Sequence, residues 1–340
     1  MADEQSPPPA PGNPDPAEVA AAAAHLRAGR LVGMPTETVY GLAANALDPA
    51  AVLAVFTAKG RPRFDPLIVH VADAEQAWTV AVPSPRALRL AAAFWPGPLT
   101  LILPRRACVP DLVTSGLDTV AVRVPDHPLA LALIRAAGVP LAAPSANRFG
   151  RISPTTAAHV REQLGDAVAA ILDGGPCRIG VESTVLRCDP IPIVLRPGGC
   201  TRERIAAVLQ EPVALADREA RAGSLALSGE AAREAPGLLA SHYAPRAPLR
   251  LKSAADPWPT DPAIACLAFT GVGTGAGLAG RARTEVLSPT GDLAEAATGL
   301  FAALRRLDAL QPPEIIAETV PEGDLGEAIN DRLRRAAGLG

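Results

Sequence analysis

Long apolar runs are missing from this 340-residue chain, and no stretch approaches the roughly 20 consecutive apolar residues of a membrane-spanning helix. Aromatic residues make up only 3 %, which leaves few platforms for stacking nucleic-acid bases. An excess of either charge is missing too. The formal net charge is −3, so no global field draws the chain to nucleic acid or an anionic membrane, and an anion site must be local. Cysteine is sparse, and the five present form no C-x-x-C pair. Scattered thiols in odd number suit a reducing compartment better than a disulfide framework or a zinc site. Lysine is almost absent: Lys59 and Lys252 are the only two, and arginine supplies the remaining positive charge.

What is present is ordinary for a globular chain, with 49 % hydrophobic and 20 % charged residues. The start, "MADEQSPPPAPGNPDP", is acidic and proline-rich and lacks the apolar centre of a signal peptide. It reads as a disordered tail over residues 1–16 of a soluble, cytoplasmic protein with no membrane partner.

Strand and helix patterns then alternate at irregular spacing over 17–208, which predicts an α/β domain built on a mixed sheet with helices. Helices are expected over "PAEVAAAAAHLRAG", "PAAVLAVFTAK" (stopped by Gly60 and Pro62), "SPRALRLAAAFW" (capped by Ser84) and "HPLALALIRAAG". Thr36 or Thr38 is placed to cap a short helix, and Ser153 before Pro154 to cap another. Over 209–246 the apolar periodicity fades, which predicts a linker, and 247–340 reads as a smaller open α/β unit.

Several stretches carry chemistry. In "KGRPRFDPLIVHV" an extended backbone would put Lys59, Arg61 and Arg63 on one side, an arrangement that an anionic triphosphate or pyrophosphate would relieve. A solvated basic loop answers the same spacing equally well. In "TVAVRVPD", Val120, Val122 and Val124 share one face while Thr119, Ala121 and Arg123 share the other. An arginine there needs a partner: a carboxylate of a ligand, an acid of the protein, or solvent at a sheet edge. Hydroxyls and an amide gather at expected strand ends in "PTETVYGL", "PLAAPSANRFGRISP" and "GVEST", where α/β sheets usually hold ligands. Capping and hairpin corners explain some of them as well. His70, on a strand of Ile and Val, reads as a core histidine on its own. "GAGLAG" (275–280) spells a dinucleotide motif, but a strand rather than a helix is expected after it, so it is rejected. No Ser-His-Asp order, carboxylate pair or metal-ligand spacing stands out. Cations and hydroxyls of this kind suit a reaction catalysed by alignment and charge neutralisation.

Taken together, "PTETVYGLAANA", "KGRP…PLIVHV", "FWPGPLTLIL", "VAVRVPDHP", "PLAAPSANRFGRISPT", "GVESTVL", "LRPG" and "SHYAPRAPL" resemble, in order, the YrdC/Sua5 family in its two-domain, Sua5-type form. The resemblance implies a YrdC-like twisted mixed sheet with helices, a linker, and a Rossmann-like C-terminal domain. It implies that L-threonine, bicarbonate and ATP, with Mg²⁺, give L-threonylcarbamoyladenylate and pyrophosphate. A separate threonylcarbamoyl transferase would pass the group to tRNA. Thr38, His70, Arg123, Ala143 and Ser183 would line the threonine pocket. Lys59, Arg61, Asp65, Thr119, Ser145, Asn147, Ser153, Arg196 and Tyr243 would surround ATP, with Lys59 and Arg61 as the catalytic cations and Tyr243 carried in by the linker as a lid. A module that binds RNA without adenylyl transfer is the alternative.

Overall fold

The computed structural model describes residues 15–216, 242–271, 278 and 282–340. The expected tail lies outside the described residues up to position 14. Pro16 already opens the first helix, Pro16–Arg27, and Asp15 caps it, its carboxylate accepting from the Ala17 N–H. The same start recurs: Asp48 and Ser84 cap helices whose first residue is Pro49 or Pro85, because proline lacks only an N–H that the first turn leaves unpaired. At the other end of Pro49–Lys59, Gly60 takes φ +63°, as the expected stop requires.

Ten strands form the first sheet: β1 (Val32–Met34), β2 (Gly41–Asn45), β3 (Ile68–His70), β4 (Leu99–Pro104), β5 (Thr119–Arg123), β6 (Leu141–Ala142), β7 (Ala170–Ile171), β8 (Thr184–Arg187), β9 (Ile193–Arg196) and β10 (Ala214–Leu215). Their spatial order is β10-β9-β8-β4-β5-β3-β6-β2-β1-β7. Parallel pairs (β3 with β5, β4 with β8) mix with antiparallel ones (β4 with β5, β3 with β6), as the irregular alternation predicts. Val120, Val122 and Val124 enter the main apolar core together, and Ala121 lies in a separate cluster on the other face.

Two expectations are corrected. Thr36 and Thr38 cap no helix; the chain passes through a bend into β2. The linker starts later than 209: Leu209 closes the helix Arg202–Leu209, and β10 then adds an edge strand parallel to β9. Apolar periodicity cannot register a two-residue edge strand whose side chains are exposed. Residues 217–241, most of the expected linker, lie outside the described residues, as does most of "GAGLAG".

A second sheet, all parallel, has the order β11-β14-β12-β13, from β11 (Leu249–Lys252), β12 (Ala265–Ala268), β13 (Thr284–Val286) and β14 (Ile315–Glu318). The amphipathic helices Leu293–Ala309 and Leu325–Ala336 bury Leu300, Phe301, Leu304, Ile329 and Leu333 in its core. Val39, Ile152, Val181 and Tyr243 belong to that same core although the first three come from the first sheet's loops. The two units share apolar packing. Among the described residues no helix is long and apolar enough to cross a membrane.

Candidate active site

His70 and Arg123 end β3 and β5 and face each other in register, at the carboxyl ends of two adjacent parallel strands. Arg123 is buried and almost fully engaged. Its Nη1 donates to Thr38 Oγ1 at 2.9 Å, its Nε to the Gly97 carbonyl at 3.2 Å, and its Nη2 lies 2.6 Å from Glu37 Oε1. Of the partners open at the sequence level, an acid of the protein is therefore present. Thr36 shapes the bend that presents these groups, because its Oγ1 accepts from the Thr38 and Val39 N–H groups. His70 Nδ1 meets the Ile68 carbonyl at 3.3 Å, which requires the proton on Nδ1 and leaves Nε2 as an acceptor. Burial, and then the positive charge of Arg123, push the His70 pKa down to about 3, so the ring is neutral at ordinary pH.

The cation side differs from the expected row. Lys59 ends a helix, so the backbone is not extended, and Arg63 is exposed while Lys59 and Arg61 are buried. Lys59 Nζ donates to the Ser145 and Asn147 carbonyls, each at 2.5 Å, and thereby holds the loop after β6. Arg61 Nη2 pairs with Asp65 at 2.9 Å and also donates to the Pro66 carbonyl. Asp65 is thus an arginine's counter-ion, which explains an acid beside a cationic cluster. Burial, reinforced by Arg61, holds the Lys59 ammonium well below the usual lysine range.

The third wall comes from the loop before β8 and from the strap at His242 and Tyr243. Ser183 Oγ bonds with Thr100 Oγ1 at 2.8 Å, and Arg196 donates to the Ser183 carbonyl and hydroxyl. Gly198 lies so close behind that an added Cβ would come within 2.3 Å of the Glu182 carbonyl oxygen, which accounts for the glycine of "LRPG". Ser153 is not a helix cap. Thr156 caps Ala157–Leu164, and the Ser153 hydroxyl donates to Glu182 Oε1 at 2.5 Å.

These walls frame a small, partly open cleft that leaves about 40 Å³ for water. Thr38, His70, Arg123, Ala143 and Ser183 line it, as do Arg61, Ser145, Arg196 and Tyr243. Lys59, Asp65, Thr119, Asn147 and Ser153 are not part of its lining, and Thr119 opens β5 opposite Pro104, at the far end of the strand from Arg123. His242 and Glu182 line it without having been expected to. Glu37, behind Arg123, was also missed. Both acids occur in quoted motifs, "PTETVYG" and "GVEST", where only the hydroxyls were weighed.

Buried polar atoms without a hydrogen-bond partner around this cleft include Tyr243 Oη, His242 Nδ1 and Asn147 Oδ1. Native interiors rarely leave such atoms unpaired unless a ligand or water completes them. Burial also raises the Tyr243 pKa and, helped by Arg61 and Lys59, lowers that of His242, so both are neutral donors or acceptors. A larger groove of about 380 Å³ lies at the seam between the two units. Its arginines Arg246 and Arg305 are paired with Glu162 or Asp308, and Arg148 and Arg151 donate to the Gln163 and Pro245 carbonyls, whereas the smaller cleft gathers buried Arg61, Arg123 and Arg196 beside the unpaired Tyr243 Oη and His242 Nδ1. The smaller cleft is the candidate site. Among the described residues no three His, Cys, Asp or Glu side chains converge to hold a metal.

A family model described as "Telomere recombination" (Sua5_yciO_yrdC) matches residues 24–198, and one described as "Threonylcarbamoyl-AMP synthase, C-terminal domain" matches 200–338. The chain is 46 % identical over 338 residues to the threonylcarbamoyl-AMP synthase of Bacillus subtilis, covering 94 % of this chain and 93 % of that one. It is 44 % identical over 327 residues to that of Pyrococcus abyssi, covering 93 % of each. The crystal structure of P. abyssi Sua5 complexed with L-threonine superposes with a TM-score of 0.84 at 40 % identity, over 96 % of this chain and 95 % of that one.

Proposed function

Because the chain belongs to the Sua5-type family of threonylcarbamoyl-AMP synthases, we propose that its cleft joins L-threonine, bicarbonate and ATP into L-threonylcarbamoyladenylate, releasing pyrophosphate. The observation that carries this reading is the meeting of two differently built halves in one buried cleft. One half is Arg123 with Thr38, Ser183 and the bare Nε2 of His70; the other is Arg61, Arg196 and the unpaired groups of His242 and Tyr243.

In the first half the Arg123 guanidinium takes the threonine carboxylate, with Glu37 and Thr38 fixing its plane. His70 Nε2 accepts a polar hydrogen of threonine, and Ala143 leaves room for the side chain. In the second half Arg61 and Arg196 face the phosphates, while Tyr243 and His242 close over the nucleotide and exclude water. Lys59 acts from behind the wall: it orders the Ser145–Asn147 loop and adds positive potential. Asp65, Asn147 and Ser153 support these contacts, and Thr119 is given to the nucleotide half by the family pattern alone.

The reaction then follows from alignment. Threonine's amine condenses with bicarbonate, forming the C–N bond of a carbamate as one C–O bond breaks and water leaves, and a carbamate oxygen attacks the α-phosphorus of ATP. The P–O bond to pyrophosphate breaks and pyrophosphate leaves with its electron pair. Two anions must approach, so fixed cations in a dry cleft lower the barrier. Mg²⁺ enters as part of the substrate, on ATP's phosphates. The product is an activated threonylcarbamoyl group for a separate transferase acting on tRNA. Five free thiols fit a cytoplasmic setting.

The test is pyrophosphate release from ATP and bicarbonate, with L-threonine, with L-serine, or with neither. Strong dependence on threonine is expected. Release that ignores threonine would overturn the proposal.

A further inference from the structure

The loop that carries Glu182 and Ser183 into the cleft is held by the second unit. Thr298 Oγ1 donates to the Arg178 carbonyl at 2.8 Å. Gly180, at φ +78°, packs so closely on the helix Leu293–Ala309 that an added Cβ would come within 2.4 Å of the Ala297 carbonyl oxygen. Val181 is buried in the second unit's core. From the last helix, Arg332 Nε donates to Glu182 Oε2 at 2.7 Å, and neither side chain is more than 7 % exposed. The Arg332 guanidinium also lies 5.2 Å from the Tyr243 ring centre.

Electrostatics gives this contact a consequence beyond packing. Glu182 lines the cleft, in the wall that includes Arg196. A bare carboxylate there would repel a polyanion and cancel part of the arginines' field. Arg332 neutralises Oε2, and the Ser153 hydroxyl occupies Oε1. Asp331, paired with Arg332 at 2.8 Å and with Arg335 at 3.1 Å, keeps the guanidinium in place.

We propose that Arg332 is a positioning residue for the nucleotide, a counter-ion from the second unit that masks the Glu182 charge and so keeps one half of the cleft receptive to phosphates. The inference rests on the synthase reading above. It assigns the C-terminal unit a defined part in substrate binding, exerted through one buried ion pair.

The experiment measures KM for ATP and for threonine in the full chain, using threonine-dependent pyrophosphate release, for Arg332→Met, Glu182→Gln and the double variant. With Glu182 unmasked, Arg332→Met should raise KM for ATP at least about tenfold and change KM for threonine less than about twofold. Adding Glu182→Gln should return KM for ATP to within about threefold of the unsubstituted chain, because the charge to be masked is gone. Equal rises in both KM values, or no rescue in the double variant, would reduce the pair to a packing contact and overturn the proposal. Should Arg332→Met fail to fold, Arg332→Lys is measured instead. A smaller, ATP-selective rise supports the inference, and an unselective or absent one refutes it. If the unsubstituted chain releases no pyrophosphate with threonine, the synthase reading is what fails.

Discussion

Glu37 Oε1 and Arg123 Nη2 lie 2.6 Å apart in a place where neither side chain is more than 4 % exposed. A buried pair of this kind fixes a guanidinium more than it stabilises a fold, since removing one partner strands the other charge. Glu37→Gln is expected to lower stability by about 3 kcal/mol and to raise KM for threonine, with KM for ATP little changed. Denaturant unfolding and steady-state kinetics check both. An equal effect on both substrates would show that Glu37 does not act through Arg123.

Tyr243 offers the opposite balance. Its hydroxyl is buried without a partner in the free protein, a state that costs about 1–3 kcal/mol. Tyr243→Phe should therefore raise the unfolding free energy by a similar amount while weakening ATP binding. Thermal unfolding together with nucleotide titration by calorimetry reads both signs. A variant that loses stability would mean that the hydroxyl is already satisfied.

The third expectation concerns pH. His70 has a folded pKa of about 3 against an unfolded value near 6.5, so between these values the unfolded chain holds more protons. Its contribution to stability is fully present above pH 6.5 and is lost as pH falls toward 3. From neutral or higher pH down to 5.0 the loss from this group alone is about 2 kcal/mol. His159, with a pKa pushed down to about 4, and His242 act with the same sign. His70→Asn should flatten the curve by His70's share and leave theirs. An unchanged slope would place a charged imidazole in the fold.

Gly180 is the fourth. Alanine there meets both an unfavourable positive φ and the backbone of the helix Leu293–Ala309. Gly180→Ala should separate the two units' unfolding into distinct calorimetric transitions and cost at least about 1 kcal/mol. A single unshifted transition would show that the seam yields without strain.

Much of this architecture was legible in the chain. Proline after Ser84 marked a helix start, although the same pairing at Ser153 and Pro154 did not, Gly60 marked a stop, and the valine alternation of 120–124 gave the facing of β5. The arginine on the other face of β5 announced that it needed a partner. The partners themselves were not legible. Glu37 meets Arg123, and Glu182 meets Arg332, across long sequence separations that no local period records. Rarity by itself assigns no role: Lys252, the other lysine, serves the second sheet, its ammonium 4.4 Å from the Trp258 ring centre and 3.8 Å from Glu318. The short β10 and the helices Ala74–Val80 and Arg202–Leu209 escaped because brief elements carry too few periods to show one.

The contact between Glu182 and Arg332 also sets an order in time. The two residues are 150 positions apart, so a nascent chain can complete the first sheet well before the arginine exists. At roughly 5–20 residues per second, synthesis of that interval takes about 8–30 s. For that time the Glu182 loop has no counter-ion, and the apolar Val181 has no core to enter. On that reading the cleft becomes able to hold nucleotide only after the last helix has docked.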